Sequence, residues 1–512
     1  MNRNNVILLD GESLTLDNVE QIALNNAAVG ISPKAINKIK ASRQFIEEII
    51  KTGEIVYGVN TGFGALSSVN IPENQIEELQ LNLIRSHACG IGDFFSTKTT
   101  RAIMVLRANT LTKGYSGVRL ELIEKLLELL NKGVHPLIPS KGSVGASGDL
   151  APLAHLSLVL IGEGKAEYQG KTYSGNEALK KAGIEPISLK AKEGLSLING
   201  TQVMTAMGVM YLKKAQRLGK VADIAGAMTL DAIKGTPKAC YPQIHALRPH
   251  TGQIKSANNI IKLTNDSQII ASHVTCPKVQ DPYSIRCIPQ VHGASKDTFD
   301  YVEKILGIEI NAGTDNPLVF AETKEVLSGG NFHGQPIALA MDFLGIALAE
   351  LANISERRTD KALAPMFSGL PIFLTESTGL NSGLMITQYT AAALVSENKM
   401  YATPNSIDSI PTSCDKEDHV SMGTNAARKV MHILKNTSYV ISIELLCGCQ
   451  ALDYCLPTLP GKGIQKAYNT IRHKVPKVVD DRVFHYDIEE IYKLIDSDFI
   501  LKEVESVIGE LE

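Results

Sequence analysis

Gly142-Ser143-Val144-Gly145-Ala146-Ser147-Gly148-Asp149-Leu150-Ala151 sets three glycines and two serines just ahead of an apolar run. Its centre, Ala146-Ser147-Gly148, has what a backbone needs to become an electrophile. Gly148 lacks a side chain, so its amide nitrogen can come close to the carbonyl carbon of Ala146. Attack there closes a five-membered ring. Loss of one water from that adduct, and of the Ser147 hydroxyl as a second, leaves an exocyclic methylidene. No ordinary side chain is a good electrophile, and such chemistry usually falls to a cofactor. Here the chain itself could supply one. Taken alone, the tripeptide reads more readily as a loop capping a helix that begins near Leu150, so its company decides.

The rest of the composition narrows the class. A length of 512 residues suggests roughly three domains, a guide that fails for bundles of very long helices. Hydrophobic residues make up 44%, enough for a large core. A net charge of -3, with no basic patch carrying interleaved aromatics, argues against a nucleic-acid partner. The N-terminus holds Asp10, Glu12, Asp17 and Glu20 and no long apolar run, so it reads as neither signal peptide nor anchor. The most apolar long segment, residues 439–451, contains Glu444 and is too short to span a membrane. Cys447, Cys449 and Cys455 fall close together without paired CxxC spacing. They read as buried helical thiols, not as zinc ligands. Free thiols suit the cytoplasm.

Helical periodicity dominates. Leu120, Ile123, Leu126, Leu127 and Leu130 form one apolar stripe, and Gly133 can end that helix. Residues 337–354 are apolar nearly all round, as in a helix buried on most sides. Residues 420–435 and 439–456 read the same way. Strand candidates are short: Ile55-Val56-Tyr57, and residues 166–173. Residues 237–256 and 276–291 look irregular. The chain reads as mostly α, with functional loops at helix ends. A soft boundary near Gly200 separates a mixed region, 1–200, from a long-helix region, 201–512.

Five further blocks accompany the Ala-Ser-Gly loop. They are Tyr57-Gly58-Val59-Asn60-Thr61-Gly62-Phe63-Gly64, Arg85-Ser86-His87-Ala88-Cys89-Gly90, Asn199-Gly200-Thr201-Gln202, Gln280-Asp281-Pro282-Tyr283-Ser284-Ile285-Arg286-Cys287, and Glu417-Asp418-His419-Val420-Ser421-Met422-Gly423. Together, and in this order over nearly the whole chain, they resemble the aromatic amino acid ammonia-lyase family, most closely its histidine-specific branch. The resemblance implies a long-helix bundle of the fumarase/aspartase-like lyase type with a smaller mixed N-terminal region. It implies a 4-methylidene-imidazol-5-one group formed autocatalytically from Ala146, Ser147 and Gly148, with no external cofactor and no metal. It also implies a homotetramer whose active sites are shared between subunits, and a small amino-acid substrate.

The residue roles follow the same resemblance. Addition of the substrate amine to the methylidene would split a hard elimination into easier steps. Tyr57, in a Gly-rich loop able to close over the site, matches the base that takes the β-proton. For that work its pKa must fall below the ordinary value of about 10. Arg286 offers a planar fork for the substrate carboxylate. Tyr283 and Asn199 match residues around the electrophile, where they could orient the ring and stabilise charge on its oxygen. Asn199 reads alternatively as a turn residue, and Phe332 as either a neighbour of the electrophile or a plain core aromatic.

Glu417 stands where phenylalanine- and tyrosine-specific relatives carry Gln. Its carboxylate can accept from an imidazole N–H and would be costly to desolvate against a phenyl ring. His87 can bond a polar side-chain tip. Cys89 replaces an expected Ala and could touch the pocket wall, and Lys416 replaces a common Gln and could weaken the Glu417 assignment by pairing with it. The implied reaction is L-histidine to trans-urocanate and ammonia. A tyrosine lyase or an aromatic 2,3-aminomutase with the same electrophile is the nearest alternative. An inactive helical scaffold is the alternative of another class. A cofactor-free lyase of the fumarase/aspartase type would need Gly-Ser-Ser and Met-Pro-x-Lys, which the sequence lacks.

Overall fold

The computed structural model describes residues 6–273 and 279–512. Within them the chain is mostly helical, and its nine strands run to only three or four residues each. Two compact units form, where length suggested about three domains. One comprises residues up to Met210, Glu303–Asp342 and Pro404–Arg428; the other comprises Tyr211–Val302, Phe343–Thr403 and Lys429–Glu512. The divisions at Met210, Val302, Asp342 and Arg428 fall inside the helices Gln202–Ala232, Ile288–Glu309, Gln335–Leu363 and Gly423–Asp453.

In the first unit, the expected Leu-rich helix runs over Leu120–Lys132 and buries Leu122, Ile123, Leu126, Leu127, Leu129 and Leu130. Gly133 ends it with φ 74°, the left-handed cap that glycine takes without strain. Residues 166–173 fall in a hairpin of Lys165–Tyr168 against Lys171–Ser174. Ile55-Val56-Tyr57, however, is not a strand. Gly58 takes φ 73°, and the Asn60 side chain accepts from Val56 N at 2.8 Å and donates to Glu54 O at 2.8 Å. These bonds satisfy backbone groups a strand partner would otherwise need, and they close a turn.

The same unit carries a pH-sensitive contact. His135 lies in the strand Val134–Pro136, and its Nε2 meets Arg101 Nη1 at 3.1 Å. Burial first, and the Arg101 charge second, pull the imidazole down to about 4. In the unfolded chain the ring titrates near 6.5. Below that value the unfolded state binds a proton that the folded state refuses, so stability falls with pH until about 4. The expected loss is on the order of 3 kcal/mol at most. Denaturant midpoints between pH 7 and 4.5 should drop less in His135→Gln than in the unaltered chain; parallel drops would contradict this.

Most of residues 420–435 and 439–456 prove to belong to one helix, Gly423–Asp453, whose residues from Lys429 onward lie in the second unit. Asn436, Thr437 and Ser438 look like a break, but their side chains bond outward or back along the helix. Asn436 Nδ2 donates to Glu397 Oε2 at 2.6 Å, Thr437 Oγ1 to Leu348 O at 3.1 Å, and Ser438 Oγ to Leu434 O at 2.9 Å. Glu444 is fully buried there and pairs with Arg358 at 2.5 and 2.8 Å. Arg358 in turn meets His292, and His292 meets Asp223 at 2.7 Å. A buried charge is thus met by partners on other helices.

Cys447 and Cys449 are buried, and burial pushes both thiols up to about 12. Cys455 falls in the turn after the helix. Residues 237–256 are less irregular than expected, with short helices at Pro237–Cys240 and Pro242–Ala246 and a longer one from Thr251. Of residues 276–291, the first three lie outside the described residues. Val279–Pro282 are irregular, and helix begins at Tyr283. Among the described residues, one helix, Gln335–Leu363, is long and apolar enough to cross a membrane by composition, a longer apolar stretch than residues 439–451. Its most apolar window is 67% buried, as in a core helix.

Candidate active site

Ala146-Ser147-Gly148 occupies the loop between the strand Pro139–Lys141 and the helix Leu150–Leu160. A Cβ on Gly148 would stand 2.1 Å from Gly200 O, and φ there is 72°, so only glycine fits. Gly148 and Gly200 pair as a single bridge, and Asp149 N donates to Gly200 O at 2.7 Å. Asp149 is fully buried. Its carboxylate accepts from Ser143 Oγ at 3.1 Å and Thr424 Oγ1 at 2.6 Å. It also accepts from the backbone of Val203 at 3.0 Å and Met204 at 2.9 Å. Those two amides are orphan donors at the start of the Gln202–Ala232 helix. Below the loop, Val144, Ala146, Val420 and Met422 pack together. The loop is therefore fixed on both flanks, while half-buried Ser147 donates from Oγ to Glu417 Oε1 at 3.1 Å.

Asn199 ends the short helix Glu193–Ile198 and is buried, which is more than a turn residue needs. Fully buried Arg107 donates from Nη1 to its carbonyl at 2.9 Å. Its Nδ2 donates to Asn316 O at 3.1 Å, and its Oδ1 is buried with no partner among the described residues. A buried acceptor left so costs about 1–3 kcal/mol, which a polar ligand would recover. Close by, Lys192 and Asp315 form a fully buried ion pair at 2.8 Å, and Asn199 Nδ2 stands 3.5 Å from Asp315.

Tyr57 opens the turn of the Gly-rich loop, and its hydroxyl accepts from Gly64 N at 3.5 Å. The loop closes on itself through a Thr61–Asn70 bridge. Burial pushes the Tyr57 phenol up, and the Glu417 and Asp315 charges push the same way against the Gly64 bond. The lowered pKa expected of a base is thus not supplied by these groups. His87 ends the helix Ile76–His87. Burial pulls its imidazole down, against the pull of Leu83 O and the Glu417 charge, which keeps it neutral at pH 7.

Phe332 is half-buried in the turn ahead of the helix Gln335–Leu363. The next residue, His333, stacks on His419 at 5.8 Å, and its Nε2 lies 3.2 Å from His419 O. The Phe332 segment therefore joins the Glu417 segment. Lys416 does not take the Glu417 carboxylate; its Nζ reaches Ser67 Oγ at 3.5 Å. Cys89 is exposed. Tyr57, His87, Ala146, Ser147, Gly148, Asn199, Phe332 and Glu417 thus all belong to the first unit.

Tyr283 and Arg286 belong to the second unit, on the short helix Tyr283–Arg286. The Arg286 guanidinium lies over the Tyr283 ring at 4.7 Å, and its Nε has no hydrogen-bond partner among the described residues. Three residues in the first unit carry structural work that the motifs did not announce: Arg107, Asp149 and Thr412. Only Asp149 lies inside the decisive stretch, and although it directly precedes the helix Leu150–Leu160, its side chain makes no cap bond there and takes the first amides of the Gln202–Ala232 helix instead.

This chain belongs to the aromatic amino acid lyase family, whose model matches residues 14–473. A protein named histidine ammonia-lyase from Alkaliphilus oremlandii is 53% identical, covering 98% of this chain and 99% of its own. The crystal structure of histidine ammonia-lyase from Trypanosoma cruzi superposes with a TM-score of 0.91 at 43% identity, covering 98% of this chain and 95% of that one. The structure of tyrosine aminomutase from Streptomyces globisporus superposes with a TM-score of 0.93 at 37% identity, covering 98% and 99%. The lyase fold of these proteins is the fold of this chain.

Proposed function

We propose that this chain removes ammonia from L-histidine to give trans-urocanate, the first step of histidine degradation. Glu417 carries the reading: a carboxylate held 3.1 Å from Ser147 Oγ is a poor neighbour for a phenyl ring and a good acceptor for an imidazole N–H. The relatives named histidine ammonia-lyase support the same substrate. The residues also fit the methylidene-imidazolone group. Gly148 admits no Cβ, the loop is braced on both sides, and buried Asn199 Oδ1 lacks a partner among the described residues. Ala146, Ser147 and Gly148 would form the group, which supplies an electrophile for the substrate amine.

The chain's own residues do the rest. Arg286 clamps the substrate carboxylate with its fork, and Tyr283 and Asn199 orient the electrophile. Tyr57 takes the β-proton at its hydroxyl oxygen. Glu417 and His87 hold the imidazole, and Phe332 packs beside the ring. Residues 1–200 carry the closing loop and the electrophile, and 201–512 the long helices. A cytoplasmic homotetramer with shared sites completes the reading.

An ultraviolet assay with L-histidine, L-tyrosine and L-phenylalanine tests it by following the conjugated acrylate each would release. Product from L-histidine alone is expected. Product from L-tyrosine, or a β-amino acid among the products, would favour the tyrosine lyase or aminomutase. Silence with all three, and an intact mass without the loss of two waters, would favour the scaffold.

A further inference from the structure

Thr412 and Glu417 face each other across a tight antiparallel bridge. Thr412 N donates to Glu417 O at 3.1 Å, and Glu417 N to Thr412 O at 3.2 Å. The turn between them holds three successive non-glycine residues with positive φ: Ser413 at 54°, Cys414 at 53° and Asp415 at 62°. Such residues are uncommon singly, and unfavourable backbone of this kind persists only where the surroundings impose it, often at ligand sites. One consequence is plain. Residues opposite one another in an antiparallel pair put their side chains on one face. The Thr412 hydroxyl therefore reaches the Glu417 carboxylate, donating from Oγ1 to Oε2 at 2.6 Å.

The two carboxylate oxygens are thus divided. Oε2 belongs to Thr412, and Oε1 is turned to Ser147. The β-branched threonine has few rotamers, so it fixes the carboxylate better than water would. The hairpin is itself pinned against the Tyr57 loop. A Cβ on Gly64 would come within 2.9 Å of Ser413 Oγ, and Lys416 Nζ stands 3.5 Å from Ser67 Oγ.

We infer that Thr412 is a positioning residue for substrate selection: its hydroxyl holds one oxygen of Glu417 so that the other alone is presented to the substrate imidazole. The inference rests on the reading of Glu417 as the imidazole acceptor. Without the hydroxyl, the carboxylate regains rotamers in which neither oxygen meets the substrate, and a charge-assisted bond is lost.

The test compares Thr412→Val, which keeps the branched shape and drops the hydroxyl, with Thr412→Ser, which keeps the hydroxyl. The readouts are kcat and KM for L-histidine, melting temperature, and the intact-mass deficit of two waters. Thr412→Val should lose roughly tenfold or more in kcat/KM, with the mass deficit retained. Thr412→Ser should recover most of that loss. Should the valine variant fold poorly, Thr412→Ala carries the same comparison. Unchanged kcat/KM in Thr412→Val, or an equal loss in Thr412→Ser, overturns the inference and leaves the histidine reading standing. Unaltered protein that ignores L-histidine overturns that reading first, and the inference with it.

Discussion

Ser147→Ala is expected to fold and to be nearly inactive. The Ser147 hydroxyl must leave as water for a methylidene to form, and alanine has nothing to lose. The variant should be at most one water lighter than its sequence mass, from ring closure alone, where the unaltered chain should be two waters lighter. Turnover of L-histidine should fall about a thousandfold or more, the scale seen when the covalent group of an enzyme is removed. Misfolding is not the expected cause. The bracing of the loop runs through Asp149, Gly148 and Gly200, with Val144, Ala146, Val420 and Met422 beneath. Ser147 gives up one half-buried hydrogen bond, to Glu417, worth roughly 1 kcal/mol of stability. An unchanged melting temperature with lost activity is therefore the prediction. Near-normal turnover, or a deficit of two waters in the variant, would remove Ala146-Ser147-Gly148 as the source of the electrophile.

What could be read before folding divides along a physical line. Residues 166–173 read as one strand where the chain folds them into two paired strands, Lys165–Tyr168 and Lys171–Ser174. Gly133 as a helix end obeys a local rule, so neighbours in sequence suffice. The Ala-Ser-Gly stretch is legible for the same reason, since ring closure involves adjacent residues only. Ile55-Val56-Tyr57 misleads because β-branched residues predict burial on a sheet. Here Asn60, four residues after Val56, satisfies that backbone instead. The gap left between residues 435 and 439 misleads because Asn436 and Thr437 find acceptors on distant segments and Ser438 bonds back to Leu434 O, which lets the helix run on. Arg107, Asp149 and Thr412 acquire meaning only from partners brought near by folding or by a turn of unusual backbone. Motifs thus point to the groups that do chemistry more readily than to the groups that hold them still.

Tyr57→Phe should separate chemistry from binding. Loss of the hydroxyl removes the proposed acceptor of the β-proton and little of the surface a substrate touches. The expected result is a fall in kcat of about 10²–10⁴-fold, the usual worth of a general base, with KM changed far less. The pH dependence follows from the sign of the Tyr57 shift. Burial holds its phenol above the ordinary value, with Glu417 and Asp315 adding to it. The phenolate is the basic form, so the active fraction of free enzyme grows as pH rises toward that pKa. The kcat/KM of the unaltered chain should therefore climb tenfold per pH unit through the alkaline range, and Tyr57→Phe should lose the climb. A climb retained in the variant would assign it to another group. Loss of affinity with kcat preserved would make Tyr57 a binding residue, and the base would have to be sought elsewhere in the site.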